Sequence, residues 1–186
     1  SLGLVGSEMC IRDSFIIHAR KAFLKGLSPA QNREIPPLNY DLVEEMKVRW
    51  PKLKIILNGG LETLDEVRRR LSKLDGVMLG RAAYKTPWVL SIVDNLIYGE
   101  PEKNKTRKDV IDMMVNYAAT QKSLGVPVKS ITRHMLGLFH AEPGAKAWRK
   151  FLAEEARGLD AEPEIIRHAY FAVCEAASFK TQAEAA

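Results

Sequence analysis

Three short groups of residues are of the right type and spacing to act together: Asn58-Gly59-Gly60, Gly80-Arg81 and His18. Each closes an aliphatic run, respectively Ile55-Ile56-Leu57, Val77-Met78-Leu79 and Phe15-Ile16-Ile17, that reads as a buried strand. Glycines at strand ends leave backbone N–H groups bare, and bare N–H groups beside a helix start approach a phosphate; Arg81 adds a cation. Two such arms on successive strands favour a phosphate-bearing, nucleotide-type ligand over two unrelated turns. His18 falls on the same rim, where it could contact that ligand. Taken alone, a histidine is more often structural than catalytic, and its place on the same rim as the two glycine arms reverses that order.

The intervening sequence supplies the elements that would hold these groups. Thr63 is an N-cap with Glu66 as its capping-box partner, and Leu64, Val67 and Leu71 share one helical face while Arg68, Arg69 and Arg70 point largely outward. Tyr40 to Trp50 is a helix stopped by Pro51, and Ala82-Ala83-Tyr84 can begin another. Three strand–helix units therefore occupy Phe15 to Tyr98. Phosphate arms after the last two strands, beside a short extra helix, fit a (β/α)8 TIM barrel, which typically needs about 250 residues. The expectation is the C-terminal part of such a barrel, with about five units preceding it. An open edge at the Phe15 strand makes residues 15–98 alone an aggregation hazard.

Between the first strand and the Tyr40 helix runs Ala22 to Pro37, punctuated by glycine and proline. Long loops on that face carry function or disorder, and Arg33 is the residue to watch. Its plainer role is a surface ion pair of little energetic weight. After Tyr98 the charged stretch GEPEKNKTRKD reads as a domain boundary. Helices over Val110–Lys122, Ser130–Phe139, Gly144–Glu155 and Pro163–Phe179 come next, with a frayed tail KTQAEAA. The domains expected are 1–14, a leader that looks like translated adapter; 15–100, barrel units; and 101–186, all helical. Lys146 and Arg149, three residues apart, project from one side of a helix and can grip neighbouring phosphates. Taken alone, such a cluster is more often a solvated helix face, and Trp148 beside it reads as core.

Composition sets outer limits. The 186 residues carry a net charge of +5 and 46% hydrophobic content, enough for one ample core or two modest ones. No run approaches the ~18 apolar residues of a membrane span. Cys10 and Cys174 match no metal or redox spacing, so a reducing, cytoplasmic setting is expected and no metal site.

Four stretches together carry a resemblance: FIIHARKAFLKGLSPAQNREIPPLNYD, LNGGLETLDE, LDGVMLGRAAYKTPWVL and ITRHMLGLFHAEPGAKAWRKFL. In order and in register from Phe15 to about Leu152, they resemble the tRNA-dihydrouridine synthases, most closely the A subfamily. That resemblance implies an FMN-holding barrel followed by a helical domain that helps hold tRNA, with NADPH as reductant. The implied reaction reduces a D-loop uridine to 5,6-dihydrouridine, a cysteine protonating the second carbon. The target uridine must leave its stack, the logic of base flipping applied to RNA.

By resemblance, His18 contacts the flavin ring, while Asn58, Gly59, Gly60, Gly80 and Arg81 hold the FMN phosphate and the nearby ribityl chain. Arg33 contacts the uridine, and Lys146 and Arg149 contact tRNA from the helical domain. Ala30 stands where the subfamily often has lysine, so its contact reduces to backbone or shape. Lys146 stands where arginine looks more usual, trading a fork for a point charge. Neither cysteine matches the catalytic position, which the resemblance puts in a part not present here; no catalytic residue is assigned, no protein partner is implied, and the chain alone is expected to be inactive. Two other classes remain open: an FMN-barrel oxidoreductase acting on a small molecule, and a non-enzymatic RNA-binding remnant.

Overall fold

A computed structural model describes residues 13–158 and 160–184. Cys10 and most of the segment set apart as a leader lie outside the described residues. The chain divides into two compact units, with the division between Ala82 and Ala83.

The first unit is α/β. Its sheet is parallel and three-stranded in the order β1 (Ser14–His18), β2 (Lys54–Asn58), β3 (Gly76–Met78). Register aligns Phe15 with Ile55 and Ile17 with Leu57 and Val77, so one face carries aliphatic side chains strand after strand. Ile55 and Leu57 are fully buried there, with Val43 of α2 (Tyr40–Arg49), Leu61 and Leu74. The opposite face is more open: Ile16 is 52% exposed. The strands are thus covered unequally, where their sequence suggested burial throughout. On that open face His18, Asn58 and Met78 are successive register partners.

Local signals explain the helices. The N-cap Thr63 accepts from the Glu66 N–H, and the Glu66 carboxylate accepts from the Thr63 N–H, starting α3 (Leu64–Leu71) as the capping box requires. Arg70, however, turns inward: its guanidinium stacks 4.4 Å from the Tyr40 ring and pairs with the buried Glu44, which Lys73 also engages. The reason is charge. Glu44 sits on the inner side of α2, and only a cation from α3 or just beyond makes its burial tolerable. In the long loop a short helix, α1 (Pro29–Asn32), forms on a Ser28–Gln31 capping box. β3 ends at Met78, two residues before the expected Gly80.

The second unit is built from helices among its described residues. After α4 (Arg81–Lys85) and a 3-10 helix at Pro87–Ile92 come α5 (Val93–Tyr98), α6 (Arg107–Ser123), α7 (Lys129–Thr132), α8 (Ala145–Glu155) and α9 (Ile165–Glu184). Its core centres on Trp148, fully buried with Ile111, Ile166 and Leu152, its indole N–H donating to the Met135 carbonyl at 2.9 Å. Trp148 is therefore core, as its position suggested.

The compact units divide at Ala82–Ala83, ahead of the charged linker, and the segment before that linker packs with the helices on its C-terminal side. Trp88 lies against the helical core under the Arg107 guanidinium at 4.4 Å, and a Cβ at Gly137 would stand 2.2 Å from the Lys85 carbonyl oxygen. Two expected helix bounds need correction. The helix expected over Ser130–Phe139 closes at Thr132 and continues as turns, letting Met135, Leu138 and Phe139 all reach the core. The last helix runs on to Glu184, past the expected end at Phe179.

Candidate anion-binding site at the strand ends

The three strands deliver their C-terminal ends to one place. A cavity of about 190 Å³ opens there, lined by His18, Asn58, Gly59, Gly60, Gly80 and Arg81, with Arg33 on its wall. All six residues read as a ligand cradle thus line one cavity, and the loop arginine joins them. Ala30 sits apart from the lining, exposed on α1. Lys146 and Arg149 stand exposed on α8 in the second unit.

The glycine turn has a structural reason beyond ligand access. Gly59 has φ +121° and Gly60 φ +66°, conformations a side chain resists. A Cβ on Gly60 would lie 2.5 Å from Leu38 Cδ1 and 3.2 Å from the Tyr40 hydroxyl. That hydroxyl donates to the Gly59 carbonyl at 2.8 Å, pinning the turn from α2. On the other side the Ala19 N–H donates to the Asn58 carbonyl at 2.8 Å, extending the β1–β2 ladder one step beyond the strands. Gly80 differs: a Cβ there would meet nothing within 4 Å. Packing does not demand its glycine; an approaching ligand would.

The charged side chains on the cavity lining are Arg33, Arg81 and Glu62. Burial holds the His18 imidazole below its ordinary value, and the guanidinium groups of Arg20, Arg81 and Arg33 push in the same direction. His18 is therefore neutral at physiological pH, able to offer one donor and one acceptor. Arg81, the first residue of α4, is well exposed and pairs with Glu34 at 3.2 Å. Arg20 donates to the Pro36 carbonyl, while its buried Nε has no hydrogen-bond partner. Strand-end glycines, two arginines on the wall and an open glycine flank are groups chemically suited to holding an anion.

Tyr40, Leu38 and Glu34 escaped the sequence reading. No local pattern marks a tyrosine nineteen residues from the carbonyl it binds. Glu34 was visible in the NREIPP run, but its pairing across forty-seven residues to Arg81 was not.

The family model described as "Dihydrouridine synthase (Dus)" matches residues 12–172. The chain belongs to the dihydrouridine synthase family. Among its relatives is the tRNA-dihydrouridine(20/20a) synthase of Shewanella oneidensis, 46% identical over 159 residues, which are 86% of this chain and 48% of the relative. The enzyme of the same name from Escherichia coli K12 is 45% identical over 84% of this chain and 46% of its own length. That of Haemophilus ducreyi is 44% identical over 87% and 50%. The chain thus spans about half the length of the curated relatives it matches. Family membership also orders the motifs: strand-end glycines, Arg81 and the Arg33 loop belong to one matched region. Among the described residues no helix is long and apolar enough to cross a membrane, and no group of side chains is disposed to hold a metal ion.

Proposed function

We propose that this chain supplies the FMN-phosphate cradle and part of the tRNA-contacting surface of an enzyme that reduces a D-loop uridine of tRNA to 5,6-dihydrouridine, with NADPH as reductant. In this reading the first unit is the C-terminal part of a (β/α)8 barrel and the helical residues from 101 onward form a tRNA-binding domain. The observation that carries it is the convergence of His18, the Asn58–Gly60 turn, Gly80 and Arg81 on one cavity wall with Arg33. The names of the bacterial relatives support a tRNA substrate, and work on tRNA fits a cytoplasmic setting.

The residues present fit FMN. Gly59 and Gly60 turn their backbone toward the cavity, Gly80 leaves its flank open, and Arg81 offers a guanidinium suited to a phosphate. When bound, FMN supplies the hydride-transfer chemistry of the reaction. The chain's own residues do the holding. Neutral His18 presents a hydrogen-bonding edge to the ring system, and Arg81 gives up its exposed pairing with Glu34 for the phosphate, an exchange that costs little because that pair is well solvated. Arg33 offers a planar fork to the uracil carbonyl groups. Ala30 contributes only backbone or shape, and Lys146 and Arg149 neutralise tRNA phosphates from α8. No proton donor is assigned to Cys10 or Cys174.

The test joins this chain to the N-terminal half of the Shewanella oneidensis relative and assays dihydrouridine in an unmodified tRNA transcript with NADPH. Dihydrouridine formation, with flavin retained and activity reduced by Arg33→Ala, supports the proposal. NADPH oxidation against a small acceptor with tRNA left untouched contradicts it in favour of a small-molecule oxidoreductase.

A further inference from the structure

Arg33 is held in place by an unusual means. None of residues 21–35 is buried: Leu24 is 97% exposed, Ile35 61% and Phe23 44%. Only Leu27 among its apolar side chains is even half-buried, so the loop has little apolar anchorage and much of its shape comes from hydrogen bonds. One side chain makes most of those that cross it. The Asn32 Oδ1 accepts from the Phe23 N–H at 2.8 Å, and Nδ2 donates to the Phe23 carbonyl at 2.9 Å. The same Nδ2 reaches the Leu27 and Ser28 carbonyls at 3.4 Å. The amide's orientation is forced, since reversing it would set a donor against the Phe23 N–H and an acceptor against its carbonyl.

Arg33 is the next residue. Its N–H donates to the Ala30 carbonyl at 3.0 Å in a right-handed helical conformation, so its direction follows from the turn that Asn32 closes. Beyond it, Arg20 donates to the Pro36 carbonyl and the Asn39 N–H to the Ala19 carbonyl at 2.7 Å. Arg33 is thus suspended between two clamps, one made by Asn32 and one by the end of β1. Asn32 itself is not among the cavity-lining residues.

We propose that Asn32 is the positioning residue for Arg33: by stapling the loop to Phe23 it pre-orders the arginine that meets the uridine. This rests on the reading of Arg33 as a tRNA contact. A guanidinium on an unstapled loop must be ordered at the moment of binding, and that entropy is lost from affinity. Removing the staple weakens tRNA binding by about tenfold, the order of one net hydrogen bond's worth of ordering. The loss acts through Arg33, so the two residues are energetically coupled.

The experiment is a filter-binding titration of unmodified tRNA transcript with this chain as wild type, Arg33→Ala, Asn32→Ala and the double variant. The expected result is that each single variant weakens binding and the double is no weaker than Arg33→Ala alone. Asn32→Asp, which keeps the acceptor for the Phe23 N–H and loses the donor, falls between wild type and Asn32→Ala. If Arg33→Ala weakens binding and Asn32→Ala does not, or if the two losses add in full, this inference is overturned while the Arg33 reading stands. If Arg33→Ala has no effect, both fall. Hydrogen exchange on the wild type gives an answer independent of any variant's folding. The Phe23 amide must be protected despite its exposed setting, and exchange at the free-chain rate overturns the staple.

Discussion

The two compact units hold their exposed cations by opposite means. Lys146 and Arg149 stand on α8, whose other face buries Ala145, Trp148 and Leu152 in the helical core. Arg33 stands on a loop without a buried residue over 21–35, and Arg81 at the start of a five-residue helix. A helix seated on a core displays charge at fixed spacing whether or not a ligand arrives. A strand-end cradle depends on left-handed glycines, one tyrosine hydroxyl and a few side-chain amides. Substitutions in the core of the second unit should therefore cost stability first, and those in the strand-end cradle of the first unit should cost the site first.

The largest effect expected of that contrast is on stability. Trp148→Ala removes a fully buried indole and its bond to the Met135 carbonyl, a loss of about 3–5 kcal/mol by the usual cost of large-to-small core changes. Urea denaturation measures it, and a loss below about 1 kcal/mol, the scale of an ordinary surface change, would blur the comparison. Gly60→Ala comes next, at roughly 1–3 kcal/mol for forcing a side chain into left-handed backbone. Its Cβ would push on Leu38 and the Tyr40 hydroxyl, so the cavity should lose anion affinity by more than the stability change suggests.

Acid should act on the first unit from two directions with one sign. The His18 pKa is depressed by burial and neighbouring arginines; the Asp75 carboxyl is held low by Lys47 and the Ile55 N–H, and Glu44 by Lys73 and Arg70. For each, the unfolded chain binds protons more readily than the folded one, so stability is full at higher pH and falls as pH drops. The His18 share declines from about pH 6.5 downward and the carboxylate share from about pH 4. An anion in the cavity offsets the arginines' effect on His18, so phosphate-ligand binding should take up protons and strengthen as pH falls through the His18 range. Calorimetry in buffers of different ionisation enthalpy reads this uptake, and His18→Gln should remove the His18 share and leave only the contribution of the ligand phosphate's own ionisation.

How much of this was legible beforehand depends on the range of each signal. The Thr63–Glu66 capping box, the glycines closing β2 and His18 at the end of β1 are local patterns, and each lies where its pattern said. Arg70 turning inward, Tyr40 reaching Gly59 and Glu34 meeting Arg81 are contacts between elements far apart in sequence, and nothing local encodes them. The short helix at Pro29–Asn32 had a local signal, Ser28 with Gln31, that the loop's prolines and glycines obscured. The division at Ala82–Ala83 depends on where Trp88 packs, which is again a tertiary choice.

Two smaller effects sharpen the contrast. Thr63→Ala should cost about 1 kcal/mol, the ordinary worth of an N-cap, seen as a lowered denaturation midpoint with an unchanged slope. Lys146→Ala and Arg149→Ala should leave stability nearly untouched, since both side chains are exposed. Each should lower the slope of log affinity for tRNA against log salt by about 1.

The most direct test of the central claim, that the strand ends form a phosphate cradle, is a fluorescence titration of this chain with FMN and with riboflavin, which differ only in the phosphate. The account predicts that FMN binds more tightly than riboflavin and that Arg81→Ala removes most of the difference. Equal affinity for the two in the wild-type chain would contradict it.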